Sequence, residues 1–162
     1  MTEKKILKYQ NAIEISRILK KEEKIIGLCH GCFDLLHIGH LRHFESASKK
    51  CDFLFISVTP DQFVNKGPNR PVITENDRLL MISKLNFIDF VFLNNSISAQ
   101  VLLNDFLPNI FFKGIEYKNN PELINPNFLL EKEVLLKNGG EMVFTDDEIR
   151  STTQIIKRIN SK

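Results

Sequence analysis

Five short, almost wholly apolar runs constrain the fold of this chain more than any other feature. They are KIIGLCH (Lys24–His30), DFLFISV (Asp52–Val58), FIDFVFL (Phe87–Leu93), NIFFKG (Asn109–Gly114) and EMVFT (Glu141–Thr145). Each has the length of a strand, and such runs belong to strands covered on both faces. Helical patterns lie between them. Ile6, Tyr9, Ile13, Ile15 and Ile18 predict a first amphipathic helix ending near Lys20, and a second runs from about Ile38 through Lys50. Thr74 is placed to cap a third reaching Leu85, and Ser96 a fourth reaching about Phe106. Pro126 to Lys137 reads as a fifth, and Ser151 as the start of the last. Buried strands alternating with amphipathic helices specify an α/β fold. The expected form is a doubly wound, Rossmann-like parallel sheet of about five strands with right-handed crossovers.

Such sheets bind ligands beyond the carboxyl ends of their strands. The unusual segments of the chain all fall there. They are the histidine-rich turn after the first run, Lys66 to Pro71 after the second, Lys113-Gly114 at the end of the fourth, and Thr145 to Thr153 after the fifth.

A chain of 162 residues, 43% hydrophobic and 26% charged, is expected to form one domain over 1–162, with 1–22 as an N-terminal helix and 23–162 as the core. The net charge is +2 and the lysines are scattered, so no nucleic-acid-binding face is expected. No apolar stretch approaches the roughly 20 residues that span a bilayer, so no membrane association is expected either. Three cysteines and no export signal point to a reducing cytoplasm.

The densest chemistry lies in GCFDLLHIGHLRHF, Gly31 to Phe44, which holds three of the four histidines; His30 directly precedes it. Zinc would use Cys29, His30, Cys32, His37 and His40, but neighbouring strand residues face opposite ways and no second Cys/His pair follows. Thioredoxin-type chemistry needs its first cysteine at a helix N-terminus, whereas Cys29 ends a strand. Two packed thiols are the simpler reading, and no feature positions Cys32 as a nucleophile. Phosphate binding fits better. His37 and His40, three apart, share one face of a helix start, where free amides and the helix dipole already favour an anion. Gly39 between them lets a ligand approach the backbone. His43 and His30 are expected to serve local structure.

The segment GCFDLLHIGH resembles the signature of the cytidylyltransferase-like nucleotidyltransferases, a branch of the HIGH superfamily. Three further segments are similar to the heptose 1-phosphate adenylyltransferase group: NKGPNRPVITENDR, FFKGIEY in place of a Lys-Gly-Gly-Asp-Tyr segment, and RSTTQIIKRI. The resemblance runs from about Lys24 to Ile159. Two departures stand out. Ile115 and Glu116 replace a second glycine and an aspartate, and Arg150 precedes Ser-Thr-Thr, as an arginine does slightly earlier in glycerol-phosphate cytidylyltransferases.

The resemblance implies attack by an acceptor phosphate on the α-phosphorus of ATP or CTP, with loss of pyrophosphate. His37, His40, Lys66 and Arg70 would be catalytic. Gly31, Cys32, Phe33, Asp34, Gly39, His40, Lys113, Gly114, Glu116, Arg150, Ser151, Thr152 and Thr153 would contact the nucleotide, and Arg78 its leaving phosphates. Magnesium would arrive on the phosphates, with no metal ligands from protein side chains. The partners implied are a nucleoside triphosphate and a sugar or polyol phosphate, and a homodimer is expected. ADP-heptose formation leads. The alternatives are a CTP-dependent enzyme for glycerol phosphate and a nucleotide-binding sensor.

Overall fold

The five apolar runs are strands of one parallel sheet in a computed structural model that describes residues 5–118, 125–145, 156, 158 and 159. The elements run β1 (Ile6–Leu7), α1 (Tyr9–Lys21), β2 (Ile26–Gly31), α2 (Ile38–Ser48), β3 (Phe53–Val58), α3 (Glu75–Ser83), β4 (Phe90–Leu93), α4 (Ala99–Phe106), β5 (Ile110–Gly114), α5 (Phe128–Lys137) and β6 (Glu141–Thr145). The sheet has six strands in the order β1-β4-β3-β2-β5-β6, every pair parallel. From β2 the chain winds outward through β3 and β4, then returns to lay β5 on the other side of β2. The change of direction lies between β2 and β5, where this class of sheet opens its ligand crevice.

The additional strand corrects the reading of Ile6 as helical. Ile6 and Leu7 pair with Val91 and Phe92 of β4, and extended Lys8 (φ −72°, ψ 152°) delays α1 to Tyr9. Lys5 fixes this edge by donating to the carbonyls of Leu85 at 3.0 Å and Ile88 at 2.6 Å. Two residues are too few to show a period, so partners 85 residues away decided their state. The cap of α4 also shifts, because it is Ser98, not Ser96, that accepts from the amide of Gln100. Of the last expected helix, Ile156, Arg158 and Ile159 are helical and the rest lies outside the described residues.

Strand alternation divides the core between two faces. Cys29, Leu54, Ile56, Val58, Val91 and Phe112 pack against Phe44 and Ala47 of α2 and Leu79 and Ile82 of α3. Leu28, Phe55, Phe92 and Phe111 pack against α1, α4 and α5. Phe55, Phe92, Phe106 and Phe111 are wholly buried there, each worth about 1.5–3 kcal/mol of burial. The central strand is pinched as well. A Cβ at Gly27 would stand 2.7 Å from both Cys51 Sγ and Phe112 Cε2, so only glycine fits.

Candidate active site

The turn between β2 and α2 departs from ordinary backbone geometry. Phe33 and Leu35 both take left-handed φ values, 51° and 49°, a conformation that costs a non-glycine residue of the order of 1 kcal/mol and persists only where surroundings enforce it. The enforcement is visible. The Phe33 ring lies over Gly31, where a Cβ would come within 3.0 Å of it, and meets His40 and Phe44 edge-on at 5.5 and 4.9 Å. Asp34, buried, binds the loop that follows β3. Its carboxylate accepts from Arg70 Nε at 2.7 Å and from the amides of Val72 and Ile73 at 3.0 Å. These bonds stabilise the charged form and hold its pKa below the usual carboxylate value against the opposing effect of burial.

His37 and His40 form a reciprocal cap on α2. His37 is the N-cap, one residue before the helix, and its Nδ1 accepts from the Gly39 amide at 3.1 Å. His40 Nδ1 accepts from the His37 amide at 3.4 Å. In a neutral ring that accepts at Nδ1, the proton sits on Nε2. The rings stack with centroids 3.9 Å apart. Burial lowers the pKa of His40 to about 3, assisted by His37, His43 and Lys66 and opposed by Asp34. His40 therefore stays neutral at pH 7. The helix start combines backbone amides, the positive dipole end and imidazole N–H groups in one place, a constellation suited to a polyphosphate.

The other expected site residues differ in their surroundings. Lys66 is exposed, and its charge reaches His40. Beside it, Gly67 adopts φ +93°, which favours glycine. Arg70 is anchored on Asp34 and 12% exposed, so it joins the turn as a fixed cation. Arg78 requires a correction. It is 1% exposed and donates to the carbonyls of Ile73, Cys32 and Thr59 and to the carboxylate of Asp61. Its guanidinium ties the turn after β2 to the loop after β3 beneath the site and is not offered to phosphates.

Lys113 is likewise internal. Its ammonium bonds Glu131 at 2.9 Å, sits over the rings of Phe111 and Tyr117, and shares Glu131 with Asn125. Burial raises the pKa of Tyr117 to about 12, so its phenol remains protonated. Gly114 ends β5, and a Cβ on it would overlap the carboxylate of Glu116. Cys32 is half-buried on the turn, while Cys29 lies in the core with its thiol pKa pushed up by burial; the cysteines are free thiols. His43 Nδ1 lies 2.7 Å from Thr145 Oγ1, joining α2 to the end of β6. Arg150, Ser151, Thr152 and Thr153 lie outside the described residues. The sequence reading missed Asp61, Asn125 and Glu131, which are remote in sequence from the cations they hold.

Comparison with known proteins agrees with this architecture. A family model described as cytidylyltransferase-like matches residues 28–158. The bifunctional protein HldE of Campylobacter jejuni is 32% identical over 157 residues, covering 96% of this chain and 32% of that protein. The HldE of Desulfatibacillum aliphaticivorans is 35% identical over 146 residues, covering 88% and 28%. The chain thus spans about a third of the length of these relatives. A lipopolysaccharide core biosynthesis protein from Thermoplasma volcanium superimposes with a TM-score of 0.63 at 23% identity, covering 78% of this chain and 99% of that one. Pantoate-beta-alanine ligase from Francisella tularensis gives 0.63 at 14% identity, covering 90% and 67%. At these identities the two structures attest the fold alone. With the family model spanning most of its sheet and the histidine turn at the crevice, the chain belongs to the cytidylyltransferase-like family and is a nucleotidyltransferase.

Proposed function

We propose that the chain transfers a nucleoside monophosphate from a triphosphate to a sugar phosphate, and specifically adenylate from ATP to D-glycero-beta-D-manno-heptose 1-phosphate. The observation that carries the reading is the His37–His40 cap, which puts imidazole donors at the amide-rich start of α2. An oxygen of the acceptor phosphate attacks the α-phosphorus, the bond from that phosphorus to the α–β bridging oxygen breaks, and pyrophosphate leaves with the electron pair. The acceptor phosphate is ionised at neutral pH and needs no base. Positioning and neutralisation of charge supply the acceleration. His37 and His40 donate to the triphosphate as negative charge grows on the leaving oxygens. Lys66 adds mobile positive charge, and Arg70 fixed positive charge.

Among the described residues, no group of three or more His, Cys, Asp or Glu side chains is arranged to hold a metal ion. The carboxylate of the turn, Asp34, is engaged by Arg70 and two amides. In this reading magnesium enters as part of the substrate, on its phosphates.

Pyrophosphate release, measured for ATP and CTP against heptose 1-phosphate and glycerol 3-phosphate, tests the reading. ATP with heptose 1-phosphate should turn over fastest. A preference for CTP and glycerol 3-phosphate would transfer the assignment to a cytidylyltransferase, the alternative suggested by Arg150 before Ser-Thr-Thr. No turnover with any pair would leave a nucleotide-binding sensor.

A further inference from the structure

The mechanism above makes no use of His30, whose setting suits a ligand group. It stands near the carboxyl end of β2, in register with Ser57 of β3. The pairing of Cys29 with Phe112 brings Lys113 of β5 to its other side. Alternation sends all three side chains to the face shared by Leu28, Phe55 and Phe111, toward α1, α4 and α5. His40 instead packs with Phe33 and Phe44 on the α2–α3 face. The crevice therefore has imidazoles on both faces of the same strand end.

The state of His30 is fixed by its neighbours. Nδ1 lies 3.1 Å from Ser57 Oγ. Burial first, and the charge of Lys113 second, push its pKa down to about 3, so the ring is neutral at pH 7 and far too weak a base to take a proton. Lys113 is neutralised by Glu131. Among the described residues His30 Nε2 has no hydrogen-bond partner, and the residue as a whole is half-buried. At a ligand-binding edge such a nitrogen is placed to exchange water for a ligand group. A neutral ring without a free cation beside it suits a hydroxyl better than a phosphate.

In-line transfer requires the acceptor on the side of the α-phosphorus opposite the leaving pyrophosphate. With the triphosphate on the α2 side, the remainder of the crevice lies toward His30. We propose that His30 reads the acceptor: its Nε2 hydrogen-bonds a hydroxyl of the phosphorylated sugar or polyol, with Ser57 holding the ring in orientation. This deepens the phosphate-transfer reading and rests on it.

The test compares wild type with His30→Ala and Ser57→Ala, after confirming equal melting temperatures. KM for the acceptor should rise about tenfold or more in His30→Ala, as loss of a hydrogen bond from a site built for it predicts. KM for the triphosphate should stay within about twofold, since the proposed His37 and His40 contacts to its phosphates lie on the other face. Ser57→Ala should shift the acceptor KM in the same direction by less. A set of acceptors deoxygenated one hydroxyl at a time should include one that costs wild type the same factor and is indifferent to His30→Ala. A rise confined to the triphosphate KM, or no change in either, overturns the proposal. Calorimetry with heptose 1-phosphate and glycerol 3-phosphate carries the test without turnover. Absence of pyrophosphate release from wild type defeats the transfer reading; equal acceptor affinity in wild type and His30→Ala, or no binding to wild type, defeats the role of His30.

Discussion

Two corners of the crevice handle polar groups in opposite ways. At the start of α2, two stacked imidazoles cap a helix by accepting backbone amides at Nδ1. At the end of β5, Lys113 and Glu131 neutralise one another below two aromatic rings, with Asn125 completing the cluster. The first arrangement orients its rings at a helix start, where the proposed triphosphate would sit. The second spends its charges internally and shapes the wall. Sequence motifs present both as ligand-binding segments; packing distinguishes a donor from a strut.

The contrast can be broken by substitution. The largest effect is expected for His40→Ala, which should lower kcat by roughly two to four orders of magnitude, the scale for removing a donor to developing charge. Near-normal turnover in a folded His40→Ala protein would remove the turn from the chemistry. At the other corner, Lys113→Ala should cost about 3–5 kcal/mol of stability, because Glu131 is left as a buried charge without its cation. The double change Lys113→Met, Glu131→Leu should recover most of that loss in denaturant melts. If the single change leaves stability intact while weakening nucleotide binding, Lys113 belongs with the ligand contacts after all.

Acid should separate the corners more gently. His40 has a pKa of about 3 when folded against an ordinary 6.5. Between those values the unfolded chain binds the extra proton, so stability is lost as pH falls from about 6.5 toward 3. His30 acts in the same window and direction. The melting temperature should drop by about 3 °C or more between pH 6.5 and 4.5, and His40→Gln should flatten that slope. An unchanged slope in this variant would place the acid sensitivity elsewhere.

The parallel sheet was legible because runs such as FLFISV and IFFKG carry their burial in their composition. The spacing of His37 and His40 likewise put both rings at the start of a helix expected from about Ile38, and His37 caps that helix with its ring stacked on His40. What stayed hidden depends on distant partners. Ile6 and Leu7 are strand only because the edge of β4 is available to them. Arg78 is a buried tie because two loops bring carbonyls and Asp61 to one point, and no local pattern around it encodes that meeting. Lys113 meets Glu131 across 18 positions and a change of element. Residue type announced a cation in each case, while its partner was decided by the assembled fold.

Asp34 has one more consequence. A single carboxylate grips Arg70, Val72 and Ile73 from the turn that also carries His37. The backbone freedom of residues 70–73 is therefore surrendered when the protein folds rather than when substrate arrives. Ordering four residues at binding would otherwise cost several kcal/mol of affinity, at roughly 1–2 kcal/mol each. In this part of the crevice, folding has already done the entropic work of recognition.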